Sequence, residues 1–351
     1  MSSLGTPVLA LIFLAAAAAT WTAGGVLSRA TDSLDIRFGL GEEMGGLVLL
    51  AVAGSLPEVA ITITSASQGN LDIAAGNLIG GIAMQTMVLV ICDVVAGERP
   101  LTYLVGALTP VLEGMLVVLV VSIGLMGALL PNTTAIGGVV SPASIGIVIA
   151  WLGGLYVVNR VRKEPRWKVD MPGSHPGRHH RSQPRPEGEH PYAGRSTAYV
   201  TAVFGIACLV TLVAGVGLAT TGNDLADRAG INGVIFGATI LAAVTALPEI
   251  SSSIVAVKLG DNALAIGDIF GGNSFQLCLF LLADLIAGEP VLPHAGDLNG
   301  WLAALGIALT AIYASGMVGR PYTGLGRLGP DSLLAIVMFG LGIGGLFVLP
   351  H

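Results

Sequence analysis

GSLPEVAITITSASQGN, residues 54–70, places Glu58 directly after Pro57 in a stretch that is otherwise apolar enough to lie in a membrane. An ionised carboxylate at the centre of a bilayer costs at least ~2.5–3.5 kcal/mol, so something must offset its charge. The proline has no N–H and clashes with the preceding turn, which frees backbone carbonyls around Ala53 and Gly54. The stretch therefore predicts a broken membrane helix in which an acid and free carbonyl oxygens converge.

The same pattern recurs 191 residues later. TALPE ends at Glu249 as GSLPE ends at Glu58, and between residues 54–98 and 245–289 there are 14 identities in 45 ungapped positions. GNLIGG (residues 76–81) pairs with GDIFGG (residues 267–272), so that Asn77 corresponds to Asp268. A repeat of this extent predicts two copies of one structural unit.

The composition is that of a membrane protein. Of 351 residues, 53% are hydrophobic and 11% charged, and the mean hydropathy is +0.81, so no large soluble domain is expected. The formal net charge of -6 argues against a nucleic-acid partner. The three cysteines all lie in apolar runs, which disfavours a disulfide framework.

Apolar runs long enough to cross a bilayer predict an all-α integral membrane protein with ten transmembrane helices. The predicted spans are 7–27, 40–66, 71–97, 101–128, 138–159, 197–219, 231–257, 262–287, 300–317 and 331–349. Residues 1–161 form a first five-helix repeat with its motif at 51–98, and residues 197–351 form a second with its motif at 242–289. Because five is odd, the second copy enters from the opposite face, and such inverted repeats are typical of secondary transporters.

The basic residues predict the orientation. With the N-terminus outside, 15 of the 16 Lys and Arg residues fall in cytoplasmic connections and only Arg228 falls outside. We therefore expect a multi-pass protein of the inner (plasma) membrane with both termini outside. Residues 162–196, rich in Pro, Gly, His and Arg, predict a disordered cytoplasmic linker.

Hard oxygen ligands are the chemistry that the repeated motif offers. Glu58, Glu249 and Asp268 supply carboxylates, Asn77 an amide, and the two prolines free backbone carbonyls, a set that suits Ca2+ and also Na+. Gln85 and Gln276 either line an access path or join two helices by a hydrogen bond, and the sequence does not decide between these roles. For Glu113, which has no counterpart in the repeat, a snorkelling acid and a proton site both remain open.

The two motifs resemble the paired repeats of the calcium/cation antiporter superfamily, in particular prokaryotic sodium/calcium exchangers. The resemblance implies alternating access, with Na+ entry driving Ca2+ export across the bilayer. It implies that transported inorganic cations are the ligands, with no cofactor and no obligatory protein partner. The metal ligands implied by motif position are Glu58, Glu249, Asn77, Asp268, the Ser55 hydroxyl, and main-chain carbonyls of Ala51, Gly54, Ala242 and Thr245.

The sequence departs from the family where Thr-Ser usually precedes Leu-Pro-Glu. Gly54 stands for the threonine in the first copy and Ala246 for the serine in the second, so two hydroxyls are missing. Calcium binding is therefore better supported than sodium coupling, and exchange of Ca2+ or another cation for H+ is the alternative function. A cation channel is disfavoured by the inverted repeat, and an enzyme by the absence of HExxH or of a nucleophile near the acids.

Overall fold

The computed structural model describes residues 4–38, 54–97, 99–163, 192 and 194–349, and these residues form helices with no strand between them. In chain order the helices are α1 (Thr6–Phe38), α2 (Leu56–Ser67), α3 (Leu71–Thr86), α4 (Val88–Ala96), α5 (Leu101–Leu104), α6 (Thr109–Ala128), α7 (Pro142–Lys163), α8 (Thr197–Ala229), α9 (Gly233–Thr245), α10 (Leu247–Lys258), α11 (Asn262–Gln276), α12 (Leu279–Ala287), α13 (Gly296–Gly319) and α14 (Pro330–Leu346). Short 3-10 turns precede α7 and α13.

Seven segments of the described chain are long and apolar enough to cross a membrane, and an eighth is the bent pair α9–α10. α14 is a shorter apolar helix of 17 residues. The start of the predicted second span, including Ala51, lies outside the described residues, and so does most of the predicted linker. The protein is thus an all-helical, multi-pass membrane protein, while the count of ten spans stays a prediction.

α1 and α8 are much longer than the sequence predicts. Each helix continues beyond its predicted span, 7–27 or 197–219, through a polar stretch and reaches 33 residues, about 50 Å at 1.5 Å per residue. Hydropathy marks only the part that lies in lipid. The polar extension of α1 stays helical because Ala30 and Leu34 pack on Val200 at the start of α8.

Reciprocal hydrogen bonds join the two ends of α1 and α8. Arg37, near the end of α1, donates to the Thr197 hydroxyl at 3.2 Å, and Arg228, near the end of α8, donates to the Thr6 hydroxyl at 3.1 Å. Both arginines and both threonines are related by the same offset of 191 residues. α1 and α8 therefore lie side by side and antiparallel, with the start of each helix next to the end of the other.

The repeat offset also relates two close contacts with the motif prolines. Gly24 of α1 lies against the Pro248 side chain, and Gly215 of α8 lies against the Ala60 side chain and the Pro57 carbonyl. A side chain at either glycine would collide with these groups, so glycine lets both long helices approach the broken motifs. Each long helix thus contacts the motif of the other half of the chain.

The second motif is a bent helix, as its proline predicts. α9 contains a π-helical turn at Gly237–Leu241, and α10 departs from its axis by 44° after the break at Ala246, just before Pro248. α3 packs backbone to backbone on α9, because Gly76 faces the Val234 carbonyl and Gly80 faces Ala238. Small residues in helix interfaces permit this approach in membranes.

The outer surface of the bundle is apolar. Leu11, Leu129 and Val318 are 68%, 81% and 70% exposed, as expected for side chains that face lipid rather than water. Buried polar residues concentrate instead where α2, α3, α10 and α11 meet.

Candidate functional site

Glu58 lies in the first turn of α2, directly after Pro57, and is fully buried. Its Oε1 accepts a hydrogen bond from Gln85 Nε2 of α3 at 3.1 Å. Its Oε2 has no hydrogen-bond partner among the described residues. The Glu58 carboxylate is thus held by Gln85 of the same repeat and keeps one oxygen without a partner.

Glu249 occupies the matching position in the first turn of α10 and is also buried. Its Oε2 likewise finds no partner in the described part of the chain. Glu58 and Asp268 are both near enough to repel its charge. Carboxylates of both repeats therefore lie within electrostatic range of Glu249, while their role as ligands stays a prediction.

Asp268 of α11 accepts a hydrogen bond at Oδ2 from the Ser252 hydroxyl of α10 at 2.7 Å. Ser252 is not among the ligands predicted from the sequence. The repeat offset could have found it, because Ser252 aligns with Ile61, and a polar residue opposite an apolar one marks a difference between the two halves. Ser252 fixes the Asp268 carboxylate close to Glu249.

Asn77 of α3 is 1% exposed, and neither its Nδ2 nor its Oδ1 has a hydrogen-bond partner among the residues described. Buried amides in native proteins are almost always paired, so an unpaired one needs a reason. The amide lies in the repeat position equivalent to Asp268. An unpaired amide oxygen at that position can coordinate a cation.

Gln85 and Gln276 hydrogen-bond between helices, which decides between their two predicted roles. Gln85 Nε2 donates to Gln276 Oε1 at 3.1 Å, and Gln276 Nε2 donates to the Asn77 and Leu78 carbonyls at 3.1 and 2.7 Å. Gly81 makes room for Gln276, since a methyl group there would lie 2.5 Å from its Nε2. The pair ties α3 to α11 directly behind Glu58.

The other predicted ligands differ in their availability. The Thr245 hydroxyl donates to the Ala242 carbonyl at 3.2 Å, and that carbonyl also accepts the Ala246 N–H at 3.0 Å. Ser55 is buried, and Gly54 lines a cleft beside Glu249. In this conformation the Ala242 oxygen is already used twice, whereas Gly54 borders open space.

A small cleft reaches the acids from one end of the bundle. Its walls are Gly24, Leu27, Ser28, Thr31, Gly54, Pro57, Thr211, Pro248, Glu249, Ser252 and Asp268. The α1 residues of this set lie in the half of α1 that ends at Phe38. The cleft therefore opens toward the Phe38 end of α1.

The opposite end is closed by an apolar cluster. Phe13, Ile61, Leu218 and Phe236 are buried together there, with the Phe13 and Phe236 rings 6.1 Å apart edge to face. Within the described residues no group of three or more Asp, Glu, His or Cys side chains is close enough to hold a metal ion. The cleft thus reaches Glu249 and Asp268, whereas Glu58 is fully buried, and the acids are not gathered into a closed cage.

Asp93 and Asp284, a further pair in the repeat, hold the fold together. Asp93 accepts the N–H groups of Leu101 and Gly329 at 2.6 and 2.5 Å, and Asp284 those of Val291 and Ser141 at 2.7 and 3.0 Å. Gly329 and Ser141 directly precede α14 and α7. Asp93 therefore holds the start of α14 next to the end of α4, and Asp284 holds the start of α7 next to the end of α12.

Replacing Asp284 by alanine should destabilise the protein without removing the acids of the site. Two buried N–H groups lose a charged acceptor, and each such hydrogen bond contributes ~1.5–3 kcal/mol, so we expect a loss of about 3–6 kcal/mol. The apparent melting temperature in detergent, followed by size-exclusion chromatography, measures the loss. Asp297→Ala, at an exposed acid of α13, is the control and should cost under about 1 kcal/mol. Equal melting temperatures for both variants would contradict the structural role.

Broken helices that meet with buried acids inside an apolar bundle define the class: a multi-pass membrane transporter. The family model described as "Sodium/calcium exchanger protein" matches residues 8–159 and 199–348, which is most of the chain. The chain belongs to this family of cation exchangers, whose transported ions are substrates, and it is not an enzyme.

Two curated relatives cover most of the chain. The putative antiporter CaxA of Alkalimonas amylolytica is 29% identical over 254 residues, 72% of this chain and 71% of the relative. The inner membrane protein YrbG of Escherichia coli K12 is 27% identical over 266 residues, 75% of this chain and 73% of the relative.

Solved structures share the fold. The H+/Ca2+ exchanger CAX superposes with a TM-score of 0.68 at 13% identity, covering 97% of this chain and 86% of that one. The sodium-calcium exchanger NCX_Mj superposes with a TM-score of 0.60 at 16% identity, covering 98% and 99%. At these identities the likeness shows the fold alone.

Proposed function

We propose that this protein is a secondary active antiporter of the inner membrane that exports Ca2+ in exchange for Na+ by alternating access. The observation that carries the proposal is the pair of buried glutamates, Glu58 and Glu249, each with an unused oxygen. The relatives named as a putative antiporter and as an inner membrane protein support the same assignment.

Electrostatics favours a cation between these groups. Glu58 and Asp268 both repel the charge of Glu249, and carboxylate charges are costly at membrane depth. A divalent ion with oxygen ligands removes both costs at once, because Ca2+ accepts carboxylate, amide and carbonyl oxygens in flexible geometry. Asn77 adds its unpaired amide oxygen, so the site offers an amide as well as carboxylates.

The inverted repeat supports alternating access. Contacts related by the offset of 191 residues occur in both directions: Gly24 with Pro248 and Gly215 with Pro57, and the two arginine–threonine bonds between α1 and α8. We infer from this reciprocity two five-helix halves of opposite orientation and ten spans, with residues 40–66 as the second span. In such folds the site lies at the midplane, where the halves meet.

The proposed orientation decides which side of the membrane the cleft faces. With both termini outside, the end of α1 at Phe38 is cytoplasmic, so the cleft beside Glu249, Ser252 and Asp268 opens to the cytoplasm. The apolar cluster of Phe13, Ile61, Leu218 and Phe236 closes the outer side. The conformation is therefore an inward-facing one, ready to receive cytoplasmic Ca2+.

Exchange for H+ is the second candidate, and one observation favours it. Ala246 is 1% exposed at a position where the family usually carries a serine hydroxyl, and Gly54 removes a second hydroxyl from the other copy. Na+ binding needs oxygen ligands that these residues do not supply, whereas proton binding needs only the carboxylates.

The counter-ion experiment uses 45Ca2+ uptake into inside-out membrane vesicles with either a sodium gradient or a pH gradient imposed. Uptake that depends on trans sodium supports the proposal. Uptake that follows the pH gradient and ignores sodium assigns the second candidate. If neither gradient drives uptake, calcium antiport is refuted.

A further inference from the structure

Glu113 is a buried acid that the proposed site does not use. It lies in the first half of α6, a helix of 20 residues whose other residues carry no charge, and it is 9% exposed. Its Oε2 has no hydrogen-bond partner within the described ranges. α13, which corresponds to the fourth predicted span of the second half, has Asp297 in its exposed first turn as its one charged residue, so the buried acid belongs to one half alone.

The Glu113 carboxylate faces α11 beside Asp268. A methyl group added at Gly267 would lie 2.8 Å from Glu113 Oε2, and Gly267 directly precedes Asp268. One residue further along α6, Gly114 lets the Phe270 ring pack close, at 3.0 Å from a methyl group placed there. Gly267 thus leaves the space in which the Glu113 carboxylate sits.

Two charged residues act on Glu113 with opposite sign. Asp268 repels it, and Arg162, in the last turn of α7, attracts it. In the proposed orientation that end of α7 is cytoplasmic. The starts of α6 and α11 are cytoplasmic in the same orientation, so Glu113 lies in the cytoplasmic half of the bundle, next to Gly267 and with an unused oxygen of its own.

We propose that Glu113 forms a second, cytoplasmic-side cation position, which receives Ca2+ and passes it to Asp268 and Glu249. This inference rests on the proposed function. A single carboxylate beside an aspartate attracts a hard divalent ion, yet offers too few ligands to hold it tightly, which suits a position of passage. Because no equivalent acid lies in α13 beyond its first turn, removal of the Glu113 charge should change the apparent affinity for Ca2+ on one side of the membrane only.

A purely structural acid gives a different expectation. If Glu113 only stabilised the bundle, neutralising it would change the amount of folded protein, or the affinity on both sides alike. A one-sided change in apparent affinity is thus the signature of the passage position.

The test compares Glu113→Gln with wild type in inside-out and right-side-out vesicles, measuring the KM for Ca2+ at the exposed face. We expect the cytoplasmic-side KM to rise about tenfold, equivalent to about 1.4 kcal/mol, with the outer-side KM unchanged. Glu113→Asp, which keeps the charge, should lie between. Asp261→Asn is the matched control, because it removes an acid at the start of α11 on the same side while asparagine still caps that helix.

Equal KM values for wild type and Glu113→Gln at the cytoplasmic face, or equal shifts at both faces, would overturn the assignment of Glu113 alone. Absence of Ca2+ flux in wild type would overturn the proposed function and this assignment with it. Should Glu113→Gln fail to fold, Gly267→Ala replaces it, since the added methyl displaces the carboxylate and should produce the same one-sided shift.

Discussion

Replacing Glu249 by glutamine should abolish Ca2+ transport while leaving the protein folded. The substitution keeps the size and hydrogen-bonding capacity of the side chain and removes the charge that would face the cation. Glu58→Gln should act in the same way, because Glu58 occupies the equivalent place at the start of α2. We expect 45Ca2+ uptake to fall at least about 100-fold, which corresponds to ~2.7 kcal/mol or more of lost interaction.

Two measurements guard this prediction. The size-exclusion profile and melting temperature should match wild type, since neither glutamate anchors the start of a remote helix as Asp284 does. Asp297→Asn, the loss of an exposed acid outside the site, should leave uptake unchanged. Wild-type flux in either glutamine variant would refute the site.

Cysteines at Ser252 and Ile61 should react very differently with a membrane-impermeant maleimide. The two positions are equivalent in the repeat, but Ser252 lines the cleft, whereas Ile61 is fully buried in the apolar cluster. In a background with Cys92, Cys208 and Cys278 replaced by alanine, we expect Ser252→Cys to be labelled from the cytoplasmic side in the absence of Ca2+. Ile61→Cys should resist labelling from outside under the same conditions.

Added Ca2+ should slow the labelling of Ser252→Cys, because the Ser252 hydroxyl contacts Asp268. Without Ca2+, Ser252→Cys should be labelled more than about ten times faster than Ile61→Cys, as read by gel shift. This ratio is expected when one conformer dominates by more than ~1.4 kcal/mol. Labelling of Ser252→Cys from the outer side only would contradict the proposed orientation.

The sequence predicted the elements whose signal is local. The proline–glutamate pairs marked the bend at Pro248 and the positions of Glu58 and Glu249, and the offset of 191 residues paired Asn77 with Asp268. These features depend on residue chemistry that acts within a turn or two, or on identities that an ungapped comparison reveals.

Other features were hidden because they depend on tertiary packing. The polar ends of α1 and α8 gave no hydropathy signal, although Thr6, Arg37, Thr197 and Arg228 carry the repeat offset beyond the motif. Asp93 and Asp284 read as acids near span ends, and only the fold shows that each receives two remote backbone N–H groups. Whether Ala51 contributes an oxygen stays a prediction, since it lies outside the described residues.

The asymmetry between the halves also came from the structure. Ser252 in place of Ile61, and Glu113 without a partner in the deeper turns of α13, are visible in the sequence. Their meaning follows only once one half is seen to border a cleft and the other an apolar cluster. A repeat read from sequence predicts equivalence, and the functional information lies in the departures from it.

The most direct test of the central claim, one shared cation site with alternating access, is 45Ca2+ self-exchange in proteoliposomes without sodium or pH gradients. We predict that tracer enters only when unlabelled Ca2+ is present inside, that entry saturates, and that Glu249→Gln prevents it. Tracer that enters empty and calcium-loaded vesicles at the same rate would contradict the account, because an open pathway, unlike a shared site, needs no ion on the other side.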